Sequence, residues 1–290
     1  MLILEETRSL KEDFDRISNN KSRNHIKQKR GNYMNRPAII FFDIDGTLLD
    51  FGKKDLSPKT REALLKLRAN GIRICIATGR SPLAVPKFEG VEFDAYLTYN
   101  GCYCYEGSKT IYSNPMSLED VQTIIQNAAS MERALSVATK DRLISNGTDP
   151  DLEEYYAFGN QKVTISDEFD EVSRGEVYQL LMACRKEEYA QVLQNTQEAK
   201  ITSWWDRAVD IPAGGGKGTG ISKMLEYYGI DRSQAMAFGD GNNDIEMFQA
   251  VDMGVAMENA SDDLKAVAAD TCDHVAEDGV YRYCVKHSLI

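Results

Sequence analysis

The stretch 39-IIFFDIDGTLLD-50 poses the problem that the rest of the chain has to solve. Ile39, Ile40, Phe41 and Phe42 show no polar alternation, which predicts a strand buried on both faces. Asp43 and Asp45 follow at once, then Gly46 and Thr47. Side chains alternate with period two along an extended chain, so the two carboxylates project from nearly the same side. Carboxylates so placed repel, and either one holds a proton or both share a cation.

Outward from this strand the pattern is regular. Ser57-Pro58 is a helix start, with Ser as the N-cap and Pro in the first turn. Ala63, Leu64 and Leu67 supply its buried stripe, and Asn70-Gly71 ends it. A second strand, 72-IRICIA-77, runs into Thr78-Gly79-Arg80, and a third, 95-AYLT-98, into Tyr99-Asn100-Gly101. Strand, helix and strand joined by short loops predict a parallel sheet covered by helices. The hairpin pattern 102-CYCYEGSKTIYSN-114 follows. Residues 115–198 then mix helical periods with short strands, as in 176-EVYQLLMAC-184 and the helical 186-KEEYAQVLQNTQ-197, which predicts an α+β insert. From 201-ITSWWDRAVDI-211 the parallel pattern is expected to resume. A helix from Lys217 carries Ile221, Met224, Leu225 and Tyr228 on one face, and 235-AMAF-238 leads into Gly239-Asp240. The fold class is thus α/β: a doubly wound, mostly parallel, Rossmann-like core in two parts, 34–114 and 199–290, with an α+β domain inserted between them. Residues 1–33 include the polar, basic 18-SNNKSRNHIKQKRGNY-33 and predict a disordered or loosely attached extension, with Met34 as a natural start.

Composition narrows the function. The chain has 290 residues and a formal net charge of −11, which argues against nucleic acid as the main partner. No apolar run reaches the roughly 20 residues that span a bilayer, so no membrane partner is expected. The six cysteines form no C-x-x-C pair and follow no secretion signal, which predicts reduced thiols in a cytoplasmic protein. The three histidines lie in the leader (His25) or near the C-terminus (His274, His287), a poor supply for a Ser-His-Asp or multi-histidine zinc mechanism.

The chemistry then falls to the strand ends, where doubly wound sheets bind ligands. Asp43, Asp45 and Asp240 without histidine or thiolate favour a hard ion such as Mg²⁺. Aspartate is an attested nucleophile for phosphoryl transfer. Lys217, Thr78 and the backbone N–H groups near Gly46 and Gly79 could surround the charge on a phosphoryl group. A Walker-type nucleotide loop fails on spacing, because Gly218 follows Lys217 and Ile211 stands where its first glycine belongs.

Taken in order, D-I-D-G-T-L from Asp43, A-T-G-R ending at Arg80, Lys217, and G-D-G-N-N-D from Gly239 resemble the four motifs of the haloacid dehalogenase (HAD) superfamily. The likeness is strongest to the Cof-type phosphatases of subclass IIB, whose α/β cap lies between the second and third motifs. The resemblance implies that Asp43 is the nucleophile and Asp45 the general acid and then base, with its backbone carbonyl at the metal. It implies that Thr78 and the Gly79 N–H hold phosphoryl oxygens and that Lys217 neutralises charge between Asp43 and phosphate. Asp240 would bind Mg²⁺ with Asn243 and Asp244 in or beside the metal shell, and Gly46, Arg80, Asn100 and Gly101 would edge the substrate site. The implied activity is Mg²⁺-dependent hydrolysis of small phosphorylated metabolites, sugar phosphates first, through an aspartyl-phosphate. A sugar phosphomutase and a non-catalytic regulator that binds phosphorylated metabolites are the alternatives; the oligomeric state is unassigned. Two departures stand out: 213-AGGGKGTG-220 is unusually rich in glycine, which predicts a mobile loop, and Glu258 replaces a small residue.

Overall fold

The greasy strand does become the centre of a sheet. The computed structural model describes residues 36–158, 161–202 and 205–290. The expected 1–33 extension therefore lies outside the described residues. Ala38–Ile290 form one compact unit. Its strands are β1 (Ile39–Phe42), β2 (Arg73–Ala77), β3 (Ala95–Thr98), β4 (Tyr103–Glu106), β5 (Lys109–Ser113), β6 (Leu135–Ala138), β7 (Leu143–Ser145), β8 (Gln179–Ala183), β9 (Ala208–Pro212), β10 (Ala235–Gly239), β11 (Met253–Ala256) and β12 (Asp270–Thr271).

Eight strands build the large sheet in the order β12-β11-β10-β1-β2-β3-β4-β5. Pairing is parallel from β12 to β3 and antiparallel across β3, β4 and β5. Ile39–Phe42 are fully buried, as a strand covered on both faces requires. One face packs Ile39, Phe41, Ala77 and Leu97 against Ile221, Met224 and Leu225 of helix Lys217–Tyr228. On the other face the Phe42 and Phe238 rings stack at 5.4 Å across β1 and β10. Beyond it helices Pro58–Ala69 and Gly279–Lys286 pack together. The helix starts use the expected chemistry: Ser57 Oγ accepts from the Thr60 N–H at 3.0 Å, and Pro58 opens the helix.

The second sheet is antiparallel throughout, in the order β7-β6-β8-β9. Its strands present alternating faces. Leu135, Val137, Leu180, Met182, Val209 and Ile211 pack with Val121, Ile124 and Ala128 of helix Leu118–Ser130. This corrects the expectation for 201–211. That segment does not resume the parallel sheet; β9 pairs antiparallel with β8, ten residues past the expected insert boundary at 198. The physical clue lies in 208-AVDIP-212: a strand buried on both faces would not carry Asp210 between Val209 and Ile211. The expected helix over 186–197 is also shorter, a 3₁₀ turn at Lys186–Glu188 and one α-turn at Tyr189–Val192.

Tyr99, just past β3, joins the two sheets. Its ring stacks on Tyr178 at 5.4 Å, and its hydroxyl donates to the Thr139 carbonyl at 2.8 Å. These contacts set the second sheet beside the carboxyl ends of the parallel strands.

Candidate active site

Because β10, β1 and β2 are adjacent and parallel, Asp240, Asp43 and Thr78 emerge side by side. Asp43 is 7% exposed, and its N–H donates to the Phe238 carbonyl at 3.0 Å, which extends the β1–β10 ladder by one residue. Lys217 is fully buried at the first position of its helix. Its Nζ lies 2.5 Å from Asp43 Oδ1 and 2.6 Å from Asp244 Oδ1. The other oxygen of Asp244 accepts the N–H groups of Asp240 and Gly241, each at 3.0 Å. Asp240 Oδ1 accepts from the Thr47 hydroxyl at 2.9 Å. Asp43, Asp240 and Asp244 each offer an oxygen, all within 4.8 Å of one another.

Glycine makes this packing possible. Gly46 has φ +84°, and a Cβ there would run into the Asp240 carboxylate. Glycines on both sides of Lys217 serve close approach: side chains on Gly216 or Gly218 would collide with Glu246, and one on Gly220 with Leu97 and Gly101.

Burial drives the Asp43 carboxyl well above the usual carboxylate range; Lys217 opposes this, while Asp244 and Asp240 add to it. Asp240 is pushed up to about 6, by burial first, with the Thr47 hydroxyl pulling back and Asp244 pushing further. For Lys217 burial acts downward, yet Asp244 and Asp43 outweigh it and hold the ammonium charged. One ammonium thus faces three crowded carboxylates. The donor set is hard oxygen, and a divalent cation fits it, because a cation favours the charged form of every acid in the cluster.

The remaining expected residues fall into place around this cluster. Asp45 is half exposed, and Arg80 grips it with two N–H···O bonds of 2.8 and 2.6 Å, while Arg80 Nη1 also donates to the Ala84 carbonyl at 3.0 Å. The Thr78 hydroxyl, itself buried, accepts from the Arg80 N–H at 3.2 Å. Asn100 has φ 51° and lies against Gly79. Gly101, at φ +95°, leaves room for the Gly216 carbonyl. Asp244, beside Asp240 and Asp43 in the acidic cluster, also gives its oxygens to Lys217 and two backbone amides, so it anchors the lysine. The Asn243 amide donates to Asn100 Oδ1 at 3.1 Å, which ties the loop after β10 to the loop after β3.

Asp43, Asp45, Thr78, Gly79, Arg80, Asn100, Asp240 and Asn243 line a cavity of about 480 Å³. Lys217 and Asp244 sit behind its wall. The opposite wall comes from the second sheet and its helix Pro150–Phe158: Ala138, Leu143, Tyr155, Tyr156, Gln179, Leu181, Asp210 and Pro212. None of these was singled out from the sequence. The one available signal was the lone acid Asp210 in an otherwise apolar strand.

A parallel sheet with acids, a buried lysine and a Thr-Gly-Arg turn at its strand ends, facing an inserted antiparallel sheet, defines an α/β phosphoryl-transfer hydrolase. The chain belongs to the haloacid dehalogenase-like hydrolases, whose family profile matches residues 40–283. It is similar to YkrA of Bacillus subtilis (strain 168), with 33% identity over 252 residues, covering 86% of this chain and 96% of YkrA. A solved structure from Geobacillus kaustophilus HTA426 is 33% identical with a TM-score of 0.80, covering 88% of this chain and 100% of the other. The HAD subclass IIB sugar phosphatase BT4131 is 30% identical with a TM-score of 0.73, covering 87% of this chain and 99% of its own. The protein is a phosphatase of this family and acts on small phosphorylated substrates.

Proposed function

We propose that the chain is a Mg²⁺-dependent sugar phosphatase that works through an aspartyl-phosphate on Asp43. The observation that carries this reading is the buried Asp43–Lys217–Asp244 arrangement at the floor of the cavity, with Asp240 beside it. An Asp43 oxygen attacks phosphorus, a P–O bond to Asp43 forms, and the P–O bond to the sugar breaks. Asp45 protonates the leaving oxygen and then takes a proton from the water that cleaves the acyl phosphate. The Arg80 pair aims Asp45 along the cavity wall, and proton transfer requires Asp45 to release one of those two bonds. Thr78 and the Gly79 N–H donate to phosphoryl oxygens in this reading. Asp43 and Asp240, with the Asp45 carbonyl, would hold Mg²⁺, which supplies positive charge against the phosphoryl oxygens when bound. The second sheet acts as a cap that excludes water and selects the leaving group, with β9 as part of it. All six cysteines are free thiols, which supports a reducing, cytoplasmic setting.

The test is release of inorganic phosphate from p-nitrophenyl phosphate and from a panel of sugar phosphates, with Mg²⁺ and with EDTA. Activity should need Mg²⁺, and Asp43→Asn should abolish turnover while circular dichroism stays native. Quenched turnover should show a phosphoryl adduct on Asp43 by mass spectrometry. Activity indifferent to chelation, or full turnover by the Asp43→Asn variant, would refute the mechanism.

A further inference from the structure

The cap-side wall of the cavity holds a carboxylate that none of the reaction steps uses. Across β6, β8 and β9 the register sets Ala138, Gln179 and Pro212 in one row, and Leu181 opposite Asp210 in the next. The first row adjoins Thr139 and Tyr178, the residues that Tyr99 ties to the core. Asp210 therefore stands one side-chain repeat, roughly 7 Å, along the sheet from the row that adjoins these ties. It lines the cavity, yet its Oδ1 is sealed from bulk solvent and has no hydrogen-bond partner. Its backbone is fixed, giving an N–H to the Thr202 carbonyl at 2.9 Å and accepting the Thr202 N–H at 2.8 Å. Burial pushes its carboxyl up to about 6, while side-chain hydrogen bonding from Tyr155 and Gln179 pulls the other way. A buried acceptor left unpaired costs stability, and so it is a candidate for a ligand's donor. Charge adds a second constraint. Of the described residues that line the cavity, Arg80 alone is basic, and it is committed to Asp45 on the opposite wall.

We propose that Asp210 is the specificity-determining residue of this site: it accepts a hydrogen bond from a hydroxyl of an uncharged polyol leaving group and rejects leaving groups that carry a second anion. The inference rests on the phosphatase reading above. It disfavours a phosphomutase, whose bisphosphate intermediate would set its second phosphate against a carboxylate with no cation to receive it.

The experiment compares wild type with Asp210→Asn, a nearly isosteric change, in the full chain with Mg²⁺. The probes are hexose, pentose and alditol monophosphates, hexose bisphosphates, and p-nitrophenyl phosphate, whose leaving group offers no hydroxyl beyond the ester oxygen. We expect kcat/KM for the best polyol monophosphate to fall at least about thirtyfold, since a site built to bind a hydroxyl discriminates strongly. Turnover of p-nitrophenyl phosphate should stay within about threefold, and bisphosphates, poor for wild type, should improve relative to monophosphates. Thermal melting at neutral pH should show the variant at least as stable as wild type, because a buried carboxylate has been removed. Equal losses on both substrate types, an unchanged polyol preference, a wild-type preference for bisphosphates, or a lower melting temperature would overturn the assignment. Phosphate release from no probe at all, p-nitrophenyl phosphate included, would instead overturn the phosphatase reading beneath it.

Discussion

Two residues show how tightly the site is determined by packing. Among the described residues Lys217 is the one cation between Asp43 and Asp244, at 2.5 and 2.6 Å, and is completely buried. Lys217→Ala leaves two buried carboxylates uncompensated and should cost roughly 3–5 kcal/mol of stability, which urea unfolding would read as a lower midpoint. Retained stability would mean that the acids find other relief. Gly46 is constrained twice, by φ +84° and by the Asp240 carboxylate where a Cβ would stand. Gly46→Ala should displace Asp240, lower activity at least about tenfold, and raise the Mg²⁺ concentration needed for half-maximal rate, because metal-site geometry tolerates little displacement. A Mg²⁺ titration of activity decides the point. The acids were legible because two of them sit in one short motif. The partners of Asp244 were not, because Lys217 lies 27 residues away and reaches it only through the packing of its helix.

At the scale of elements, β9 is the instructive strand. Its length and composition suit either sheet, and pairing with β8 was decided by the connections around it. Asp210 on β9 also sets a pH dependence. Its folded carboxyl titrates near 6, above the roughly 3.9 of an unfolded chain. Between those values the folded state holds a proton that the unfolded state has lost, so stability falls as pH rises from about 4 to about 6. Wild type should therefore be less stable than Asp210→Asn at about pH 7 to 8, and the gap should close near pH 4. The titratable groups beside it are the Tyr155 and Tyr156 hydroxyls. Denaturant midpoints of the two proteins at several pH values test this; a gap that widens in acid would contradict it.

For the whole molecule, the site joins parts of the chain that are far apart in sequence. Asp43, Asp240 and Asp244 converge from either side of the inserted segment, so an ion bound among them links the two parts of the core. Millimolar Mg²⁺ should raise the melting temperature, with a ligand at a hundred times its Kd adding about 2.7 kcal/mol. Asp240→Ala should lose most of that shift while keeping the apo melting temperature within a few degrees. A Mg²⁺ response that survives Asp240→Ala would place the ion elsewhere.

What the sequence determined alone is what short stretches can encode: the strand of Ile39–Phe42, the capped helix after Ser57, and the acids and Thr-Gly-Arg turn at strand ends. These follow from side-chain alternation, capping and local sterics over a few residues. Tertiary structure alone decided that Asp244 holds Lys217, that Arg80 grips Asp45, that β9 closes the second sheet, and that Asp210 faces the cavity. Each of these depends on contacts between segments brought together by chain closure and packing, and no residue carries the identity of a distant partner in its own local pattern.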